Sequence, residues 1–314
     1  MMGKKILVDL SHPFSADIPV WPYFAKPKID TMHNLAKSGV LTQKIDVVMH
    51  CGTHADAPRH VMEYEFDGKR ARYTHELPLD AYYGDAVCLD IRVEDWGLIK
   101  PAHLEDACKR ANIKPEELKD MVLCLRSGMH LKFDDSKDYY HYSCGCGREA
   151  GEWFAKYHPK CVAMDMQALD HPLHTTMGQN GPPSISMDLA GKSGRPISEE
   201  YTEKFGIEAY AEFHKPTFIK VFGKERYMRA YDKLEAAGQP GTWEPCHKLM
   251  MGNGIVGVEN LGGDLDKVVG KRFKFMAFPI RWYLGDGSMV RCVAEIDEDD
   301  LNPVPDRTYR YGGF

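Results

Sequence analysis

The chain has 314 residues, 43% of them apolar and 27% charged, with a formal net charge of -6. That length and balance allow one domain with a large buried core. An acidic sum with no Lys/Arg cluster argues against a nucleic-acid partner, and no run reaches the ~18 apolar residues of a membrane span. The opening MMGKKILVD has no apolar signal core, so neither export nor a membrane partner is expected. The nine cysteines are scattered and odd in number, unlike a disulfide framework. A reducing, cytoplasmic location is the expectation.

In chain order, residues 6–10 read as a strand, ended by the proline-broken loop SHPFSADIPVWP. Residues 41–49 read as a strand feeding a His-rich segment. Residues 86–91 and 121–125 read as buried strands. Between them, residues 101–112 look helical, with Ala102, Leu104 and Ala107 on one side. Cys144 and Cys146 read as a turn ahead of a helix over 148–156, because no second Cys pair supplies further ligands. Residues 161–166 read as another buried strand. Residues 198–237 are charged, aromatic and helical in character. Residues 273–279 and 289–296 read as closing strands, with Gly285, Asp286 and Gly287 in the hairpin turn between them. The expected fold is one α/β (α+β) domain over 1–314 with a helical insertion at 187–245. No Gly-rich loop follows a strand, so nucleotide binding has no support.

The segment HCGTHADAPRH, residues 50–60, holds His50, His54, Asp56 and His60, all at even positions. On a straight strand they would share a face, but His50 and His60 would lie roughly 33 Å apart. The segment must curl, and Gly52 and Pro58 permit that. Neutral imidazoles and one carboxylate drawn together suit zinc, manganese or iron. A zincin helix is rejected, because Cys51 stands where that motif needs Glu. Cys51, at odd parity, is expected to point away from the metal. A second cluster follows: His247 on a short helix and Glu259 at the end of a buried strand, where the carboxylate needs a cationic partner. That partner is a metal or a salt-bridging Lys or Arg.

Residues 50–60 match the H-x-G-T-H-x-D-x-P-x-H signature of the cyclase-like metal hydrolases, the family of bacterial kynurenine formamidase and isatin hydrolase, which the chain resembles. VDLSHPFSADIPVWP resembles the family's opening strand and loop. REAGEWFAKYHPKCVAMDMQALD resembles its helix and following Asp-rich region, without the usual serine. GDGSMVRCVAEI resembles its final hairpin.

The resemblance implies a compact α/β domain around a mixed barrel-like sheet, one or two divalent ions (Zn2+ or Mn2+), and a homodimer or homotetramer in which a neighbour completes the pocket. By that resemblance His50, His54 and Asp56 hold the first metal, and Asp56 bridges to a second held by His247 and Glu259. His60 then stands beside the reacting water as ligand or proton shuttle, and Glu259 is both ligand and catalytic group. The implied reaction is hydrolysis of an amide, formamide, cyclic imide or lactam in a small-molecule substrate. Trp21 and Phe24 are candidates to stack on a flat substrate. A metal-dependent dehydratase or cyclase is the alternative, and a metal-binding protein without turnover is a third reading. The 187–245 segment, built on Tyr201, Phe205, Tyr210, Phe213, Phe218, Phe222 and Tyr227, is expected to form an arm over the metal or across a subunit interface, the alternative being a helical hairpin that only thickens the fold.

Overall fold

The computed structural model describes residues 3–181 and 184–305, so the ends of the expected 1–314 domain lie outside the described residues. Strand β1 (Lys5–Asp9) opens the chain. A separate two-stranded ribbon follows, made of β2 (Lys28–His33) and β3 (Thr42–Asp46) joined through the single turn α1 (Leu35–Ser38). Next come β4 (His54–Asp56), β5 (Tyr83–Asp90), the short β6 (Leu98–Ile99), helix α2 (Pro101–Arg110) and β7 (Val122–Arg126). The turn α3 (Lys137–Tyr140), the short β8 (Gly145–Cys146), α4 (Arg148–Tyr157) and β9 (Cys161–Met164) continue it. Helices α5 (Ile197–Phe205), α6 (Ile207–Ala211), α7 (Lys215–Phe222) and α8 (Lys224–Glu235) run in succession to α9 (Pro245–Gly252). Strands β10 (Val256–Glu259), β11 (Arg272–Met276), β12 (Gly287–Met289) and β13 (Val293–Asp297) complete the order.

Nine strands form one mixed sheet in the order β1-β13-β11-β5-β7-β9-β10-β4-β12. The run β5-β7-β9-β10 is parallel and the flanking pairs are antiparallel. The sheet has to curl. In a flat sheet β12 and β13 would lie seven spacings of ~4.8 Å apart, roughly 34 Å, yet only residues 290–292 join them, a reach of about 14 Å. Backbone bonds stitch the seam: Leu10 donates to the Cys292 carbonyl at 2.9 Å and Val290 to that of Thr53 at 3.0 Å.

Alternation along the parallel strands sorts the two faces. Ala86, Cys88, Val122, Cys124, Cys161 and Ala163 turn into the curl, beside Val258, Phe275 and Ala294. Their small side chains suit the crowded inside of a strongly curved sheet. Val87, Leu89, Leu123, Leu125, Val162 and Met164 turn outward to Leu104 and Ala107 of α2 and Phe154 of α4. On α2 the buried positions are Leu104, Ala107 and Cys108, whereas Ala102, expected on that face, is exposed. All nine cysteines are buried free thiols.

Two expectations need correction. The strand expected over 41–49 is β3 alone; it pairs only with β2, and every residue of the ribbon's strands is exposed. Gly285, Asp286 and Gly287 do not make a hairpin turn. β11 and β13 do pair antiparallel, but the chain between them crosses to the far edge, where β12 pairs with β4. The hairpin reading counted strands by sequence adjacency, whereas closing the curl puts a strand beside β4. Within 187–245, Tyr201, Tyr210, Phe213, Phe218 and Tyr227 are buried, and Phe205 and Phe222 are partly so. Among the described residues, no helix is long and apolar enough to cross a membrane.

Candidate metal centre

The His-rich segment curls as its glycine allows. Gly52 adopts φ +64°, the left-handed region where a Cβ is disfavoured, and its carbonyl accepts from His54 Nδ1 at 2.9 Å. The chain then enters β4, where His54 and Asp56, two apart, share one face. Pro58 starts a single 3-10 turn that brings His60 back, so its ring stacks on that of His50 with centroids 3.8 Å apart. In register, Glu259 of β10 lies opposite His54, and Gly257 opposite Asp56.

His247 comes from the first turn of α9. That helix starts on Pro245, and the backbone N–H groups of Cys246 and His247 each donate to the Asp170 carboxylate at 2.9 Å. A carboxylate at a helix N-terminus satisfies donors that have no partner within the helix. The same carboxylate accepts from His247 Nδ1 at 2.7 Å, which leaves Nε2 facing Glu259 Oε1 at 2.9 Å. Glu259 is steadied by the Leu169 N–H at 2.8 Å.

Each of three histidines therefore has one nitrogen tied outward. His54 Nδ1 is held by the Gly52 carbonyl, His247 Nδ1 by Asp170, and His50 Nε2 by Asp286 at 2.9 Å. The remaining nitrogens converge on carboxylates. His50 Nδ1 is 2.7 Å from Asp56 Oδ1, and His54 Nε2 is 3.4 Å from that oxygen and 3.5 Å from Glu259 Oε2. Among the described residues the ligand-type groups within mutual reach are His50, His54 and Asp56; Asp56, His247 and Glu259; and His50, His60 and Asp286. Asp56 belongs to two of them.

The electrostatics suit a cation. Burial works against an ionised Asp56, but the adjacent His54 and His50 hold its carboxyl well below the ordinary range. Burial would lower His50, yet its bonds to Asp286 and Asp56 push it up to about 10. His247 is likewise raised well above the usual value, against burial, by Asp170 and Glu259. Asp56 Oδ2, fully buried, has no hydrogen-bond partner, which is costly unless a cation supplies one. A His/carboxylate donor set fits zinc or manganese.

A cavity of about 780 Å3 opens onto the cluster. Trp21, Phe24, His60, Trp243, Lys248 and Asp286 are among its walls, so both aromatic residues expected to meet substrate do reach it. Residues 237–239, at the end of the α5–α8 segment, line it as well. Cys51 packs with Ile18 and Val20 in a small apolar cluster, and burial raises its thiol to about 11. Cys144 and Cys146 are in none of the ligand groups among the described residues.

Sequence reasoning missed Asp170 and Asp286. Asp170 follows Met166-Gln167-Ala168-Leu169, a stretch broken by Gln167, so it lacks the apolar-run signal that singled out Glu259. Asp286 carries no local signal, because Gly-Asp-Gly reads as a turn.

The Cyclase family, whose model carries the description "Putative cyclase", matches residues 8–171, more than half of the chain. The chain belongs to that family. Among curated relatives, a kynurenine formamidase of Bacillus mycoides is 32% identical over 85 residues, 27% of this chain, and the match spans only 38% of the relative's length. A kynurenine formamidase of Bacillus cytotoxicus is 24% identical over 164 residues, 52% of this chain and 69% of the relative. Among solved structures, isatin hydrolase A from Labrenzia aggregata, bound to benzyl benzoate, superposes with TM-score 0.60 over 94% of both chains at 18% identity. At that identity the likeness shows the fold, a single mixed α/β domain around a curled sheet.

Proposed function

We propose that the chain is a metal-dependent hydrolase that opens an amide, formamide, cyclic imide or lactam bond of a small molecule. The observation that carries this reading is the convergence of His50, His54, Asp56, His247 and Glu259, with each histidine's outer nitrogen anchored and Asp56 Oδ2 left without a partner. The kynurenine formamidase relatives and the isatin hydrolase neighbour support it by their named activities.

In this reading His50, His54 and Asp56 would hold one divalent ion, zinc or manganese, and His247 and Glu259, together with Asp56, would hold a second. When bound, a divalent ion makes hydroxide available near pH 7 and stabilises charge on the carbonyl oxygen. His60, partly exposed beside this cluster, takes the proton of the attacking water and returns it to the leaving nitrogen. Trp21 and Phe24 offer faces for a flat substrate. Residues 237–239 and Trp243 act as the specificity wall contributed by the 187–245 segment. Self-association belongs to the same reading. An isolated two-stranded ribbon is marginal in water, and this one exposes Ile29, Met32, Leu35, Val40, Leu41 and Ile45, an apolar surface that a second copy would cover.

Elemental analysis of the purified protein, joined to a turnover screen of aryl formamides, cyclic imides and lactams, tests the proposal. Bound zinc or manganese, and hydrolysis of at least one class that a chelator stops, is expected. A metal-loaded protein that dehydrates or cyclises a substrate and hydrolyses none of these classes would overturn it.

A further inference from the structure

The outward anchors of His54 and His247 come from Gly52 and from Asp170, beneath α9. The anchor of His50 comes from much further along the chain, 236 residues away. Because β12 pairs with β4 so that Gly287 faces Asp56, Asp286 arrives beside Ala57, whose N–H donates to the Asp286 carbonyl at 2.9 Å. Gly287 makes room for this approach: a Cβ there would stand 2.6 Å from His50 Cε1 and 2.9 Å from the Ala55 carbonyl oxygen. The Asp286 carboxylate, pinned by its own main chain, lies 2.9 Å from His50 Nε2 and 3.7 Å from His60 Nδ1 through the same oxygen. The two rings it faces are stacked on one another.

We propose that Asp286 is a positioning residue of the centre: by accepting the His50 Nε2–H it commits the Nδ1 lone pair of His50 to the metal. A neutral imidazole carries one N–H and one lone pair. An acceptor fixed on Nε2 therefore decides that the lone pair sits on Nδ1, the atom 2.7 Å from Asp56 Oδ1. Without that acceptor His50 also samples the tautomer with its proton facing the metal, and its ring is free to turn. Outer carboxylates of this kind typically change metal affinity 10–100-fold. The inference rests on the metal centre proposed above, but it concerns a residue outside the proposed ligand set.

The test is zinc affinity, measured in competition with a chelator of known strength, for the wild type, Asp286→Ala and Asp286→Asn. The Asp286 side chain is 46% exposed, so both variants should fold, and thermal midpoints check that. Asp286→Ala is expected to bind zinc 10–100-fold more weakly, and Asp286→Asn, which keeps an acceptor oxygen, to recover most of the loss. A proton–nitrogen correlation spectrum of the zinc-loaded imidazoles should show one ring protonated at Nε2 and bound through Nδ1, a signature absent from Asp286→Ala. Wild-type affinity in Asp286→Ala would overturn the proposal. So would equal and complete loss of zinc in both variants, which would make Asp286 a ligand. A wild type that binds neither zinc nor manganese would bring down the centre itself, and the wild type alone reveals that.

Discussion

His60 and Cys51 lie in the same eleven-residue motif, yet the structure gives them opposite surroundings. His60 lines the cavity, and its ligand atoms group with His50 and Asp286 but not with Asp56, His247 or Glu259. A group at the rim of the ligand cluster suits proton transfer better than ligation. His60→Ala should therefore cut turnover by ~10²-fold or more while the protein keeps its metal, read by elemental analysis beside steady-state rates. Loss of metal together with turnover would make His60 a ligand. Cys51 is expected to be silent. Its thiol packs against Ile18 and Val20, and burial raises its pKa, so it is not the thiolate a metal needs. Cys51→Ser should retain metal and activity, with a loss of stability of about 1 kcal/mol for placing a hydroxyl among apolar neighbours. Loss of metal in that variant would instead point to sulfur ligation.

At the scale of elements, the two halves of the centre sit on different supports. β4 carries His54 and Asp56 and is held on both sides, by β10 and β12. His247 rides on α9, which packs closely on α4. Gly151 of α4 allows that approach: a Cβ there would sit 3.0 Å from both Cys246 Cα and Leu249 Cβ. Gly151→Ala should push α9 outward at an overpacking cost of about 1–3 kcal/mol, and move His247 with it. If the proposed centre takes two ions, binding at the His247 position should then weaken more than at the His50 position, which a two-site zinc titration resolves. Equal effects on both sites would show that α9 does not set His247 independently. This division also explains what the sequence could reveal. The cluster of His50, His54, Asp56 and His60 was legible because these four residues lie within one local curl. The parallel strands were legible because residues such as Val122, Leu123, Cys124 and Leu125 are buried on both faces and read as unbroken apolar runs. Asp286 was not legible, because its role depends on β12 crossing to the far edge of the sheet, and no pattern near Gly285 and Gly287 encodes a pairing with a strand so distant in sequence.

At the scale of the whole molecule, a second buried charge cluster lies where β7 and β9 end. Asp165 accepts from the Ser127 and Gly128 N–H groups and from His130 Nδ1, each at 2.8 Å. On its other side His130 Nε2 is 3.3 Å from Asp266. The bond from His130 leads the effects that lower Asp266 to about 2, with Arg126 adding to it. A carboxyl depressed on folding contributes stability above its unfolded pKa, near 4, and loses it as pH falls through its folded value. His130 is raised by Asp165 and Asp266 against burial, so its own contribution is full below about pH 6.5 and is lost as pH rises through its folded value. Urea midpoints followed from pH 4 to pH 2 should fall for the wild type, and less steeply for Asp266→Asn. Parallel curves would mean that Asp266 contributes nothing to acid stability.

The central claim is that His50, His54 and Asp56 bind the ion that makes this chain an enzyme. Asp56 is the most exacting place to test it, because it is shared by two of the ligand groups and holds the buried oxygen that lacks a partner. The direct measurement is metal content and turnover together in Asp56→Ala, on protein whose fold is confirmed by circular dichroism. The account predicts a folded protein that has lost both its metal and its activity. A folded Asp56→Ala protein with full metal content and normal turnover would contradict it.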